Sequence, residues 1–246
     1  MDYEIDELSL YFGNDYVLNE YITIRQPTVG EIARYGEKRY LSLVQTLTST
    51  PSDMISVLWD IGIDWEEMSD FELFYLLISQ WLDPQDTQIL LGDLKLCDFN
   101  LYKNENDEVV MRNGDCVIDM NIHRIMTDVI RKMHGLKRNV KRAANKITKE
   151  IMIEVDRDDR RIAAQDKFES QLKSLVSAMI NSPGFKYGLK EVQDMPYCAF
   201  MDSVSRILAI NRADALSIGG VCGMVDLSKV PKKDWNWLRN LDKDDK

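Results

Sequence analysis

The residues that carry out reactions are few and badly spaced. The two histidines, His123 and His134, lie eleven positions apart on one expected helix. At 1.5 Å per residue that is about 16 Å, too far to share a metal ion. Each is expected at the surface or at a helix end. The four cysteines, Cys97, Cys116, Cys198 and Cys222, contain no C-x-x-C pair. That excludes a zinc-ribbon spacing and a disulfide framework, and the expectation is reduced, mostly buried thiols. No G-x-x-x-x-G-K-[ST], G-x-G-x-x-G, G-x-S-x-G or H-E-x-x-H occurs, which removes the common phosphate-cradle, dinucleotide, serine-hydrolase and zincin chemistries. The neighbouring acids Glu66-Glu67 and Asp158-Asp159 diverge by about 100° on a helix and do not face one site. No catalytic, cofactor-binding or metal-ligating residue is assigned, and no cofactor is expected. The enzymatic reading left open is a metal-dependent one, with carboxylates converging from distant segments.

Positive charge is also in deficit. With 31 Lys and Arg against 41 Asp and Glu, the net charge is −10 and the pI about 4.8. Phosphate binding needs positive potential over the contact face, so nucleic acid is not the expected partner. No apolar run approaches the roughly 20 residues of a membrane span. The start, Met1-Asp2-Tyr3-Glu4, is acidic and lacks the apolar stretch of a signal peptide, so a soluble intracellular protein without membrane contact is expected. What is present is an ordinary globular composition, 45% hydrophobic and 29% charged over 246 residues. Such a chain can bury one generous core or two smaller ones.

Periodicity then divides the chain. Residues 21–26 alternate and are β-branched, which predicts a short strand ended by Pro27. Thr28 with Glu31 forms a capping box ahead of a helix with Ile32, Tyr35 and Tyr40 inward. Pro51 and Asp53 open another helix, with Met54, Ile55, Leu58 and Trp59 on its buried side and Gly62 at its end. Ser69 with Glu72 is a second capping box, opening a helix that is apolar nearly all round and ends at Asp83-Pro84. From residue 94 to 120 the period changes. Cys97, Phe99 and Leu101 alternate with polar residues, residues 104–107 are a turn cluster, and Asn113-Gly114 signals a two-residue hairpin, so a three-stranded antiparallel meander is expected. Ile122, Ile125, Met126, Val129, Ile130 and Met133 follow as an amphipathic helix closed by His134-Gly135.

Residues 136–161 are the most polar stretch. Lys137, Arg138, Lys141, Arg142, Lys146 and Lys149 form a basic block, followed by alternating aspartates and arginines. The expected organisation is therefore a region 1–135 with helices, a short strand and the meander, a charged linker or arm at 136–161, and a helical region 162–246. That last region carries the densest apolar periodicity. Phe168, Leu172, Leu175, Val176, Met179 and Ile180 form one stripe, stopped by Ser182-Pro183-Gly184. Phe200, Val204, Ile207, Leu208 and Ile210 form a second, broken at Gly219-Gly220. A basic tail carries Trp235 and Trp237, and residues 242–246 are expected to fray. The fold class predicted is mainly α-helical α+β, with a small antiparallel meander in mid-chain. Lys137, Arg138, Lys141, Arg142, Trp235 and Trp237 are the candidate partner-binding residues. Twelve methionines either fill core gaps or line grooves for an amphipathic helix.

Two stretches carry a resemblance. Ile24-Arg25-Gln26-Pro27-Thr28-Val29-Gly30-Glu31-Ile32 with Tyr35-Gly36-Glu37 resembles the opening of small proteins encoded among the tail genes of phages and prophages of Gram-positive bacteria. Phe185-Lys186-Tyr187 through Met195-Pro196, Phe200-Met201-Asp202-Ser203-Val204, then Gly219-Gly220 to Lys232-Lys233 and Trp237 are similar to the carboxy-terminal part of that group. Such proteins are often assigned as tail assembly chaperones, which coat the tape measure protein and recruit tail tube subunits. The resemblance implies a non-catalytic role in virion assembly in the host cytoplasm, with tape measure and tube proteins as partners, self-association as a further contact, and a structural place in the tail or neck as the alternative. It brings no functional residues with it.

Overall fold

The structure is a computed structural model describing residues 3–81 and 87–241, with side chains throughout except at positions 80 and 81. The expected helix stop at Asp83-Pro84 and the expected fraying of 242–246 lie outside the described residues.

Asp6 accepts from the backbone N–H groups of Leu8 and Ser9 and opens α1 (Glu7–Tyr11). The strand expected at 21–26 is two residues long. β2 (Thr23–Ile24) pairs antiparallel with β1 (Tyr16–Val17), and the N–H of Arg25 already turns away to donate to Leu90 O, 2.7 Å. The Thr28 box is present at both bonds, 3.1 Å and 2.8 Å, at the head of α2 (Val29–Tyr35). Gly36, at φ +101°, then redirects the chain into α3 (Glu37–Thr48), so the buried Ile32 and Tyr40 sit on separate helices. A 3-10 turn at Pro51–Asp53 precedes α4 (Ile55–Asp60). Ile55 and Leu58 are buried there, but Trp59 is exposed, against expectation.

Both bonds of the Ser69 box form at the head of α5 (Asp70–Trp81). After α6 (Gln88–Leu91) a 3-10 turn at Leu96–Asp98 replaces the alternation expected to begin at Cys97. β3 (Asn100–Lys103), β4 (Val109–Asn113) and β5 (Cys116–Ile118) then make the expected antiparallel meander, in that order. Because Asn113 pairs with Cys116, the two loop residues are Gly114 and Asp115. Of these, Gly114 alone has positive φ, +59°. That is the II′ requirement, not the I′ turn that Asn113-Gly114 at the loop centre would make. Asp119 caps α7 (Met120–Met133), which ends at His134 with Gly135 at φ +63°.

The charged stretch 136–161 divides into an extended segment and a helix. Thr50 Oγ1 donates to Asn139 O, the Lys141 N–H to Ser52 Oγ, and the Ala143 N–H to Glu66 Oε1, at 2.8, 2.8 and 2.7 Å. These bonds lay residues 136–145 along the 50–66 stretch. Asn145 then caps α8 (Lys146–Ala163), which packs on α4 and buries Ile153. Ser170 caps α9 (Gln171–Ile180), and Phe168 lies ahead of that helix, not on its stripe. α10 (Leu189–Asp194) and α11 (Tyr197–Val221) follow. Gly219-Gly220 does not break α11; the pair is its last turn. The chain reverses at Gly223, φ +70°, and returns over it: a Cβ on Gly219 would lie 2.8 Å from Val225, and one on Gly220 2.6 Å from Leu227. A 3-10 turn at Leu227–Lys229 leads to α12 (Lys232–Trp235), which packs back on α11.

The core has two parts. The larger joins β2, α2, α3, α6, α7 and the inner face of the meander, with Leu172, Met179, Val192 and Phe200 from the later helices. The smaller joins Met54, Ile55, Leu58, Trp65 and Ile153. α5 is the wall between them: Phe71, Phe74 and Ile78 face the first, Leu73 and Leu77 the second. That double role is why its sequence is apolar on nearly every side. The architecture is mainly helical α+β, as the sequence predicts. Met126, Met133 and Met179 are core fillers.

Candidate functional site

The most built concavity is an apolar groove of about 750 Å³ between α2, α9 and α10. Its apolar lining is Val29, Ala33, Phe168, Leu172, Val176, Ile180, Leu189 and Val192. Three local devices form it. The backbone crosses at 27–29 and 195–197, with the Val29 N–H donating to Met195 O and the Tyr197 N–H to Pro27 O, both 3.0 Å. α10 approaches α2 so closely that a Cβ on Gly30 would lie 2.8 Å from Gln193 O. Glu37 accepts from Ser170 Oγ, 2.5 Å, and from the Leu172 N–H, 2.8 Å, which fixes the start of α9 against α3. Arg34 and Lys173 add two exposed cations to the lining, and no ion pair is formed by either among the described residues.

A second, more polar cleft of about 720 Å³ lies between α1, the end of α7, α11 and residues 238–241. Arg206 ties the carboxy-terminal segment down by donating to the carbonyls of Trp237 and Arg239. Lys137 lines this cleft together with Leu238, so the first residue of the basic block and the segment after Trp237 meet here.

The other expected partner-binding residues do not join them. Arg138 is held by both oxygens of Asp70, 2.7 and 3.2 Å. Lys141 and Arg142 are exposed beside the 50–66 stretch. Trp235 and Trp237 are partly exposed near α11 and do not line the cleft. Lys149, counted in the basic block, is bonded to Asp64 and, at 2.8 Å, to Glu66, with its ammonium 4.7 Å from the Trp65 ring centre. Partial burial opposes its charge, but these two carboxylates outweigh that and raise its pKa. Glu66 is lowered in return by Lys149 and by the Ala143 N–H. Two of the six basic residues, Arg138 and Lys149, are thus matched by carboxylates inside the molecule.

The histidines are more enclosed than a surface position requires. His123 is buried, its ring 4.4 Å from Phe74 and 5.5 Å from Phe71. His134 ends α7, as expected, and is half-buried at the edge of the second cleft: Nδ1 is 2.7 Å from Ile130 O and Nε2 2.6 Å from Tyr40 Oη. Burial lowers both pKa values to about 4, so both rings are neutral at pH 7. Of the four free cysteines Cys97 and Cys222 are exposed, against the expectation of mostly buried thiols. Among the described residues no group of three or more His, Cys, Asp or Glu side chains could hold a metal ion, and no helix is long and apolar enough to cross a membrane.

Of the groove residues, Leu189 and Val192 were not singled out in the sequence, and Gly30 stood there only as part of the stretch that carries the resemblance. Gly30 is the usable signal, since a glycine inside a helix costs stability unless a neighbour needs the space. No protein-family model, curated protein or solved structure matches this chain.

Proposed function

We propose that this protein is a non-catalytic phage tail assembly factor of the chaperone kind, which holds an amphipathic helix of the tape measure or tail tube protein in the groove between α2, α9 and α10. The observation that carries the reading is the groove itself: a mostly apolar trough formed by three helices, with Arg34 and Lys173 suited to a helix whose apolar stripe is flanked by acids. The two stretches that resemble tail-gene proteins, 24–37 and 185–237, include α2 and α10 and meet at the 27–29 and 195–197 crossing. The net charge of −10 would keep a concentrated assembly factor soluble in the host cytoplasm. The alternative, a structural component of the tail or neck, relies on the basic block, and Arg138 and Lys149 are already neutralised by Asp70, Asp64 and Glu66.

The test is affinity capture from cells in which the encoding element is active, with mass spectrometry of the capture and of finished particles. Recovery of tape measure or tube protein, loss of that recovery in Leu189→Glu, and absence from particles are expected. Presence in particles would transfer the reading to a structural component. Recovery of neither protein would overturn it.

A further inference from the structure

Helix α8 has two apolar faces. Met152 and Ile153 face α4 and the smaller core, together with Lys149, Asp156 and Arg160. About 150° around the helix, Ile147, Ile151, Val155 and Ile162 form a second stripe. These four side chains are 53–69% exposed, and Asp158 is the one residue interrupting them. β-branched residues spaced four, four and seven apart on an 18-residue helix make a seam suited to another helix.

We infer that α8 pairs antiparallel with α8 of a second copy of this chain, about a two-fold axis passing between Val155 and Asp156. The charges beside the seam select that occupant and that direction. Glu150, Glu154, Arg157 and Arg161 share one flank, within about 60° of arc. In an antiparallel pair each flank faces the same flank of the other helix. Around the stated axis Glu150 then meets Arg161, twice, and Glu154 comes beside an Arg157 that is already bonded to Glu154 and Asp60 of its own chain, so the Glu150–Arg161 pairs carry the choice of direction. A parallel pair would set this flank against Thr148, Met152 and Asp159, which offers no basic counterpart across the seam beyond the Lys146 and Arg157 that Glu150 and Glu154 have in their own chain. The same axis interleaves the seam. Moving outward, side chains come alternately from the two helices as Val155, Asp158, Ile151, Ile162 and Ile147, at intervals of about 3 Å along the axis. Asp158 enters with its own counter-ion, because Arg161 lies 3.0 Å away and can bridge it to Glu150 of the second copy.

Sedimentation velocity on the full chain, from low micromolar to several hundred micromolar, tests this. The 28.5 kDa species is expected to give way to one of twice that mass as concentration rises. Ile151→Lys sets two charges in the seam and is expected to weaken the dimer by roughly a hundredfold. In an Asp158→Asn background, which leaves no acid in the seam for Arg161 to neutralise, Glu150→Arg and Arg161→Glu each oppose like charges and should weaken it by roughly tenfold, whereas the double variant restores it. Positions 150 and 161 are about 16 Å apart along one helix, so the rescue requires two chains. Circular dichroism of each variant confirms unchanged helix content. A chain that stays monomeric at every concentration overturns the inference, as does a dimer indifferent to Ile151→Lys. A dimer that Ile151→Lys breaks and the double charge swap fails to restore overturns the antiparallel register.

Discussion

Helices α7 and α11 are both rich in apolar residues, and the molecule treats them in opposite ways. α7 buries seven of its fourteen residues, including both a histidine and an arginine. α11, at 25 residues, buries four, and three of these are alanine. The carboxy-terminal stretch with the densest apolar periodicity is therefore not the centre of the core. α7 is, because α3, α5 and the meander enclose it from several sides. Along α11, Leu208, Ile218 and Val221 stay exposed. Apolar density records how much surface a helix could hide, and the number of neighbours decides how much it does hide.

Acid should expose that contrast most strongly. The two imidazoles of α7 and its cap protonate near pH 4 when folded and near 6.5 when unfolded. Their contribution is complete above pH 6.5 and is lost as pH falls toward 4. Between pH 7 and 5 the unfolding free energy should drop by about 2 kcal/mol per histidine, read by urea unfolding at each pH. A flat profile would mean that α7 is not the enclosed helix. Next in size, Ile130→Ala in α7 should cost about 3 kcal/mol in the same assay at pH 7. Gly220→Ala, in the turn of α11 covered by Leu227, should cost about 1 to 2 kcal/mol through overpacking. A stabilising effect there would show that the return over α11 is loose. The smallest effect is expected from Leu208→Ala, 64% exposed on α11, at under about 0.5 kcal/mol. A loss as large as that of Ile130→Ala would erase the distinction between the two helices.

How much the sequence revealed follows the same division. Local signals were legible wherever the partner is a few residues away. The capping boxes at Thr28 and Ser69, the meander and the Ile122 to Met133 stripe need no knowledge of the rest of the chain. α8 was hidden because its apolar residues are divided between two faces, Ile153 inward and Ile147, Ile151 and Val155 outward, amid alternating charge. The Asn145 cap, bonded to the Thr148 N–H at 2.9 Å, was the missed local clue. The partners of Lys149 and Arg138 lie 68 to 85 residues away in the chain, so two members of a basic block in sequence become matched pairs in space. The groove was illegible for the same reason, since its walls come from residues near 30, 175 and 190.

The position of α5 between two cores has a consequence for how the molecule opens. A helix with apolar contacts on one side can detach when that side loosens, but α5 loses its shelter on both sides only when the Phe74 and the Leu73 surfaces separate together. Its central amide protons should therefore exchange with solvent at the rate of complete unfolding, while those of α11 exchange through local fraying. The two cores then melt as one unit, with α5 as the last part to yield.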